Sequence, residues 1–313
     1  MSSYLQELVC YIGQTSVFEE GLLTLLKTAG IEVSSKQIER VCHYYGEEIE
    51  RIKSALQEEV IIKPKEEVHY AMIDGSMVLT KKEHWKELKL GRIFSSTELV
   101  ALSAKRSEIR KSIYVAHLGD SGAFLKKLER ELINYTQLVF INDGALWIWE
   151  WIQAHYPNSV QILDYCHAIE HLCDFANSYF KNEVEKKKWV DLQKELLLTD
   201  KVDNVIETIK LLKINAKDNL LEVKKNGLIN YYTKNKKRML YQTFKQQNLL
   251  IGSGPIEAAH RNVIQKRCKL SGQRWTPKGL QQVVNLRVEY KSNRWENIIR
   301  GTHLNTYLSN STK

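Results

Sequence analysis

The hydrophobic period changes along the chain, and the order of the changes limits the fold more than any other feature. Val68-His-Tyr-Ala-Met-Ile73 is rich in strand formers and runs into Asp74-Gly75. Glu87 to Phe94 and Ser112 to His117 read as two further strands, and Gly119 to Ile133 then takes helical spacing. Leu138-Val-Phe-Ile141 is a buried strand ending in Asn142-Asp-Gly144. Trp147, Ile148, Trp151 and Ile152 follow on a helical face, which places Trp147 and Trp151 in the core and leaves Trp149 outward. Val160-Gln-Ile-Leu163 is a fifth strand, closed by Asp164, and a helix begins near Tyr165. Strands joined by short links form an antiparallel meander, whereas strands reached through a helix run parallel. The expected fold is therefore α/β: a mixed sheet of three antiparallel then two parallel strands with helices on both faces, the order of an RNase H-like domain.

The flanks are helical. Phe18 to Leu26 has apolar residues at helical spacing, Ala29-Gly30 breaks the pattern, and Ser35 starts a helix through Ile38, Val41, Tyr44 and Ile49. Residues 1–66 thus form an N-terminal helical domain, either a helix-turn-helix or a small packing unit, with Pro64 marking a linker. Residues 67–182 carry the first part of the α/β domain, 183–249 a charged helical insertion, and 250–313 its final helix and a basic tail. The runs Glu185-Lys-Lys-Lys188 and Lys234 to Arg238 read either as solvated helix faces or as surface turned to a polyanion.

Charge and composition narrow the partners. A formal charge of +9 favours a polyanion through counterion release. No stretch is apolar for long enough to span a membrane, and the N-terminus lacks the pattern of a signal peptide. The five cysteines are scattered, which fits a reducing cytoplasm better than a disulfide framework. A cytoplasmic, nucleoid-associated DNA-binding protein is the expectation.

Three acidic residues stand where chemistry is possible. Asp74 and Asp143 follow the first and fourth strands, which are neighbours in an RNase H-like sheet, so their carboxylates would repel unless a divalent cation lay between them. Each also has a structural explanation: Asp74-Gly75 as a hairpin turn, Asp143 as a helix N-cap. Glu257 follows Gly252-Ser-Gly-Pro255 on the first turn of a helix, where it would serve either the helix amides or a metal. That helix is basic beyond it, with His260, Arg261, Lys266, Arg267 and Lys269, and Arg274-Trp275 follow. The cations suit phosphate contacts, and Trp275 either stacks on a base or packs in the core.

The block from Ile251-Gly-Ser-Gly-Pro-Ile-Glu257 to Gln273-Arg-Trp275 resembles the C-terminal catalytic block of bacterial insertion-sequence transposases of the ISKra type, DDE enzymes related to mutator-like transposases. Ile73-Asp-Gly75, Trp85 to Gly91, Asn142-Asp-Gly144 and Asn235 to Tyr241 fit the same family. The resemblance implies Asp74, Asp143 and Glu257 as catalytic metal ligands for two Mg²⁺ or Mn²⁺ ions. It further implies cleavage and strand transfer of double-stranded DNA, and a homodimer or larger assembly on paired ends. Such enzymes carry additional N-terminal sequence for DNA recognition, which this chain is expected to lack. A truncated or domesticated DNA-binding protein that does not cut is the alternative.

One motif competes. His167-Ala-Ile-Glu-His171 is a literal HxxEH, the inverted zinc-peptidase pattern, with both histidines on one helix face. The family resemblance instead assigns Asp164-Tyr-Cys-His167 to a supporting signature beside the second aspartate, with Asp164 and His167 as its members.

Overall fold

The computed structural model describes residues 1–55, 67–103, 106–215 and 217–300. The linker expected at Pro64 and the tail from residue 301 lie outside them. The fold is mixed α/β and divides into two compact units: residues 1–137 with 255–313, and residues 138–254. No described helix is long and apolar enough to cross a membrane.

In the first unit, α1 (Ser3–Thr15) starts at Ser2, whose hydroxyl accepts from the Leu5 amide. Helix α2 (Phe18–Ala29) stops at Gly30, which takes the left-handed conformation at φ +64° that favours glycine. Helix α3 (Ser35–Ala55) buries Ile38, Cys42, Tyr45 and Ile49, a stripe at helical spacing. These helices share a core with Leu286 and Ile298, the former on α13 (Pro277–Lys291). Gly46 permits the close approach of α3 to α13, since a Cβ there would sit 2.0 Å from the Gln282 carbonyl oxygen.

Strands β1 (Val68–Thr80), β2 (His84–Ser95) and β5 (Ile113–Leu118) make the expected antiparallel meander, with Asp74 opposite Leu90 and Gly91 opposite Val115. Between β2 and β5 the chain inserts a short 3₁₀ turn and a separate hairpin, β3 (Leu99–Ser103) with β4 (Arg106–Ile109), which the sequence pattern did not indicate. Helix α4 (Ser121–Leu132), capped by Asp120, packs Phe124 and Leu128 over Gly91 of β2. After residue 255 the chain passes through α11 (Gly254–Ala259), a π-helical segment (His260–Gln265) and the single turn α12 (Lys266–Cys268) to reach α13. A buried charge cluster braces α3 against α4 and α13: Lys53 bonds Glu131 and Glu289, and Arg294 holds both Glu131 oxygens at 2.8 Å.

In the second unit, β6 (Gln137–Asn142) and β7 (Val160–Leu163) pair in parallel, as expected for strands joined through a helix, here α5 (Leu146–His155). A helical block follows: α6 (Tyr165–Tyr179), α7 (Glu183–Leu198), α8 (Val202–Leu211), α9 (Asn219–Asn235) and α10 (Tyr241–Gln246). Leu172, Phe175, Leu197, Val205, Ile209 and Tyr232 fill its interior, and the Tyr232 hydroxyl donates to the Ala168 carbonyl at 2.8 Å.

Candidate functional site

Asp74 does not end its strand. β1 continues through Asp74-Gly75 to Thr80, and the turn forms later, ahead of His84 at φ +53°. The hairpin-turn explanation of Asp74-Gly75 is thereby removed. The Asp74 side chain is 40% exposed. One oxygen accepts from the Gly75 amide at 2.7 Å, and the other lies 3.3 Å from His260 Nε2. His260 is only 4% exposed, and neither ring nitrogen makes a well-directed hydrogen bond to the protein. Burial lowers its pKa below the usual histidine value, against the pull of Asp74, so the imidazole is neutral at pH 7.

Glu257 is exposed on the first turn of α11, three residues before His260. That spacing puts the two on neighbouring positions of one helix face. The helix of Glu257 therefore docks against the strand of Asp74 through His260. The π-helical turn begins at this contact, and such turns are frequent where a helix serves a site. Lys269 reaches the same strand, donating to Ser76 Oγ at 3.0 Å.

Asp143 follows the end of β6 in the second unit and is half-buried. Its carboxylate accepts from the Ala145 amide at 3.1 Å, making a local turn; the N-cap position of α5 is Ala145, not Asp143. Gly144 is required by its neighbour, because a Cβ there would meet the Tyr231 ring at 2.2 Å. The Asp143 carbonyl accepts from Trp149 Nε1 at 2.8 Å, and Arg238 stacks over the Trp149 ring at 4.3 Å. Trp149 is thus buried, contrary to the outward position expected from the helical pattern, while Trp147 is only partly covered.

The Asp164 carboxylate is fully buried and saturated. It accepts from the amides of Cys166, His167 and Ser253, from Ser253 Oγ at 2.7 Å, and from His167 Nδ1 at 3.0 Å. Burial works against its charge, but these donors outweigh it and hold the carboxyl below the usual range. The hydrogen bond to Asp164 in turn raises His167 to about 9, with Glu170 and Asp143 adding to the shift, so His167 is a cation at pH 7. His167 Nδ1 faces Asp164, and His171 lies against the Tyr231 ring, so neither histidine is gathered with further ligands as the zinc-peptidase reading requires. Among the described residues no three or more His, Cys, Asp or Glu side chains are gathered into a group that could hold a metal ion.

The seven residues expected to touch DNA divide by burial. Arg261, Lys266, Lys269 and Arg274 are exposed, whereas His260, Arg267 and Trp275 are buried. Trp275 donates its indole N–H to the Cys268 carbonyl at 3.0 Å. Arg267 lies over both the Phe18 and Trp275 rings, 4.9 Å from each centroid. Sequence reasoning did not single out Tyr231, and it took Arg238 only as the end of a basic run. Their place around Asp143 arises from tertiary packing and leaves no local signal.

No protein-family model and no curated protein matches the chain. Among solved structures it is similar to a Drosophila P element transposase strand transfer complex, at 9% identity and a TM-score of 0.43, over 94% of this chain and 93% of that one. A likeness of that degree identifies neither family nor activity.

Proposed function

We propose that this protein is a DDE transposase of the insertion-sequence type, cutting and rejoining DNA with Asp74, Asp143 and Glu257 on an RNase H-like frame. The observation that carries the reading is the contact of His260 with Asp74, which brings the helix of Glu257 onto the strand of Asp74. The strand directions support the frame: an antiparallel meander, then a parallel pair reached through a helix.

All three residues offer carboxylate oxygens, the donor type that hard divalent cations take, and none is fully buried. Asp74, Asp143 and Glu257 would hold Mg²⁺ or Mn²⁺ ions, which when bound would supply charge neutralisation and water activation. The chain's own residues do the rest. His260, neutral and buried, places its Nε2 3.3 Å from the Asp74 carboxylate and brings no positive charge to it. The exposed Arg261, Lys266, Lys269 and Arg274 hold phosphates of the DNA backbone. Two copies would act on paired DNA ends.

Nicking of supercoiled plasmid in Mn²⁺ or Mg²⁺ tests the reading. Wild type should nick, and Asp74→Ala, Asp143→Ala and Glu257→Ala should each lose about 100-fold or more, by analogy with the loss of other transition-state charge stabilisers. Plasmid that is bound but never nicked would leave a DNA-binding protein without cutting, and the enzyme assignment would fall.

A further inference from the structure

A cavity of about 340 Å³ in the first unit is lined by the opening residues of three helices: Phe18 of α2, Ser35 and Lys36 of α3, and Thr276 ahead of α13. Helix N-termini carry partial positive charge, and that of α2 has no side-chain cap. The cavity also holds a guanidinium with open hydrogen-bond donors. Arg267 lines it at 1% exposure. Its faces lie against the Phe18 and Trp275 rings and its Nε donates to the Gly13 carbonyl at 3.0 Å, while Nη1 and Nη2 are buried with no hydrogen-bond partner among the described residues.

Arg287 shows what a structural arginine looks like in this unit. It is equally buried, yet its guanidinium donates to the Val263, Gln14 and Asn262 carbonyls, using Nε, Nη1 and Nη2. A buried guanidinium with two open nitrogens is costly unless an oxyanion completes it. The acids lining the cavity are already engaged: Glu19 accepts from Ser35 at 2.8 Å, and Glu39 pairs with Lys36 at 2.5 Å. Exposed Lys81 and Arg274 also line it. The uncompensated charge is therefore positive.

We infer that this cavity binds a phosphate group carried on an unpaired DNA strand. Phosphate matches the planar, forked donors of arginine. The volume lies at the low end of the roughly 300–1,000 Å³ of small-ligand sites, more than one phosphate needs, so sugar or base can enter with it. A phosphate held in a stiff duplex cannot reach a guanidinium beneath the surface; one on a single strand or a strand end can. The assignment of the strand as DNA rests on the proposed function, whereas the phosphate chemistry does not.

The test uses the full chain and a short, dye-labelled, 5′-phosphorylated single strand, read by anisotropy against a duplex of the same sequence. The double variant Lys36→Gln/Lys81→Gln changes only exposed side chains that line the cavity and should fold normally. It should weaken single-strand binding about ten-fold or more and flatten its salt dependence, while duplex binding changes little. Equal binding by wild type and variant, or equal loss for single strand and duplex, overturns the inference. Inorganic phosphate should raise the melting temperature of wild type more than that of Arg267→Lys. Stabilisation by phosphate together with unchanged single-strand binding in the rim variant would assign the cavity to free phosphate and overturn the strand assignment. Asp74→Ala should keep full single-strand binding, so failure of nicking and failure of this site are read separately.

Discussion

Among the described residues each unit contains one aspartate–histidine pair, and the two pairs are mirror images in burial. In the second unit Asp164 is fully buried and His167 is 39% exposed; in the first, Asp74 is 40% exposed and His260 is almost wholly buried. The buried member decides the outcome. A buried carboxylate with several donors keeps its charge and makes its histidine a cation, so Asp164–His167 is a closed ion pair. A buried imidazole stays neutral, so His260 brings no positive charge to Asp74. The first arrangement holds the chain together, and the second leaves a charge available to a ligand. Arg287 and Arg267 repeat the lesson for cations, one saturated and one open.

The largest expected effect separates the two aspartates. Asp164→Ala leaves the His167 cation and the Ser253 hydroxyl and amide without their acceptor, and should cost about 3–5 kcal/mol of stability. Asp74→Ala removes a half-exposed side chain and should change stability by no more than about 1 kcal/mol while abolishing nicking. Urea unfolding of both variants checks this. Similar losses of stability would mean that Asp74 is structural too, and the contrast would break.

A smaller effect is expected at Gly144. An alanine there drives a methyl group into the Tyr231 ring, an overpacking that costs about 1–3 kcal/mol. Because the ring is the obstacle, Tyr231→Ala in the same chain should recover part of the loss, as a double-mutant cycle would register. Additive losses in the cycle would show that Gly144 is needed for another reason.

What the sequence disclosed follows the reach of its signals. Strand period and Asn-Asp-Gly placed β6 and Asp143, and the meander was visible in the same way. Asp74-Gly75 misled because the dipeptide is a strong turn signal, yet the chain stays extended, with Gly75 opposite Lys89 and beneath the Glu87 side chain. The β3–β4 hairpin was missed because its strands are short and largely exposed, with no clean alternation. Trp149 was misread because it packs in a cation–π contact with Arg238, distant in sequence, and helical spacing carries no record of such a partner.

The mirror pairs also predict a pH profile with two independent limbs, the smallest of the expected effects. His167 has a folded pKa of about 9 against an ordinary value of 6.5. Its contribution to stability is therefore complete below about 6.5 and is lost as pH rises through about 9. His43, His117 and His260, all in the first unit, are shifted the other way by burial. Above about 6.5 they are neutral in both states and contribute nothing to the pH dependence. Below it the unfolded chain takes up protons that the folded chain refuses, so stability falls as the pH drops. Denaturation midpoints measured from pH 5 to 10, in chelator, resolve the limbs: His167→Gln should flatten the alkaline side alone, and His117→Gln should soften the acid side alone. If either variant ran parallel to wild type throughout, the histidine it removes would not be held as its surroundings require, and the mirror relation between the pairs would lose its electrostatic meaning.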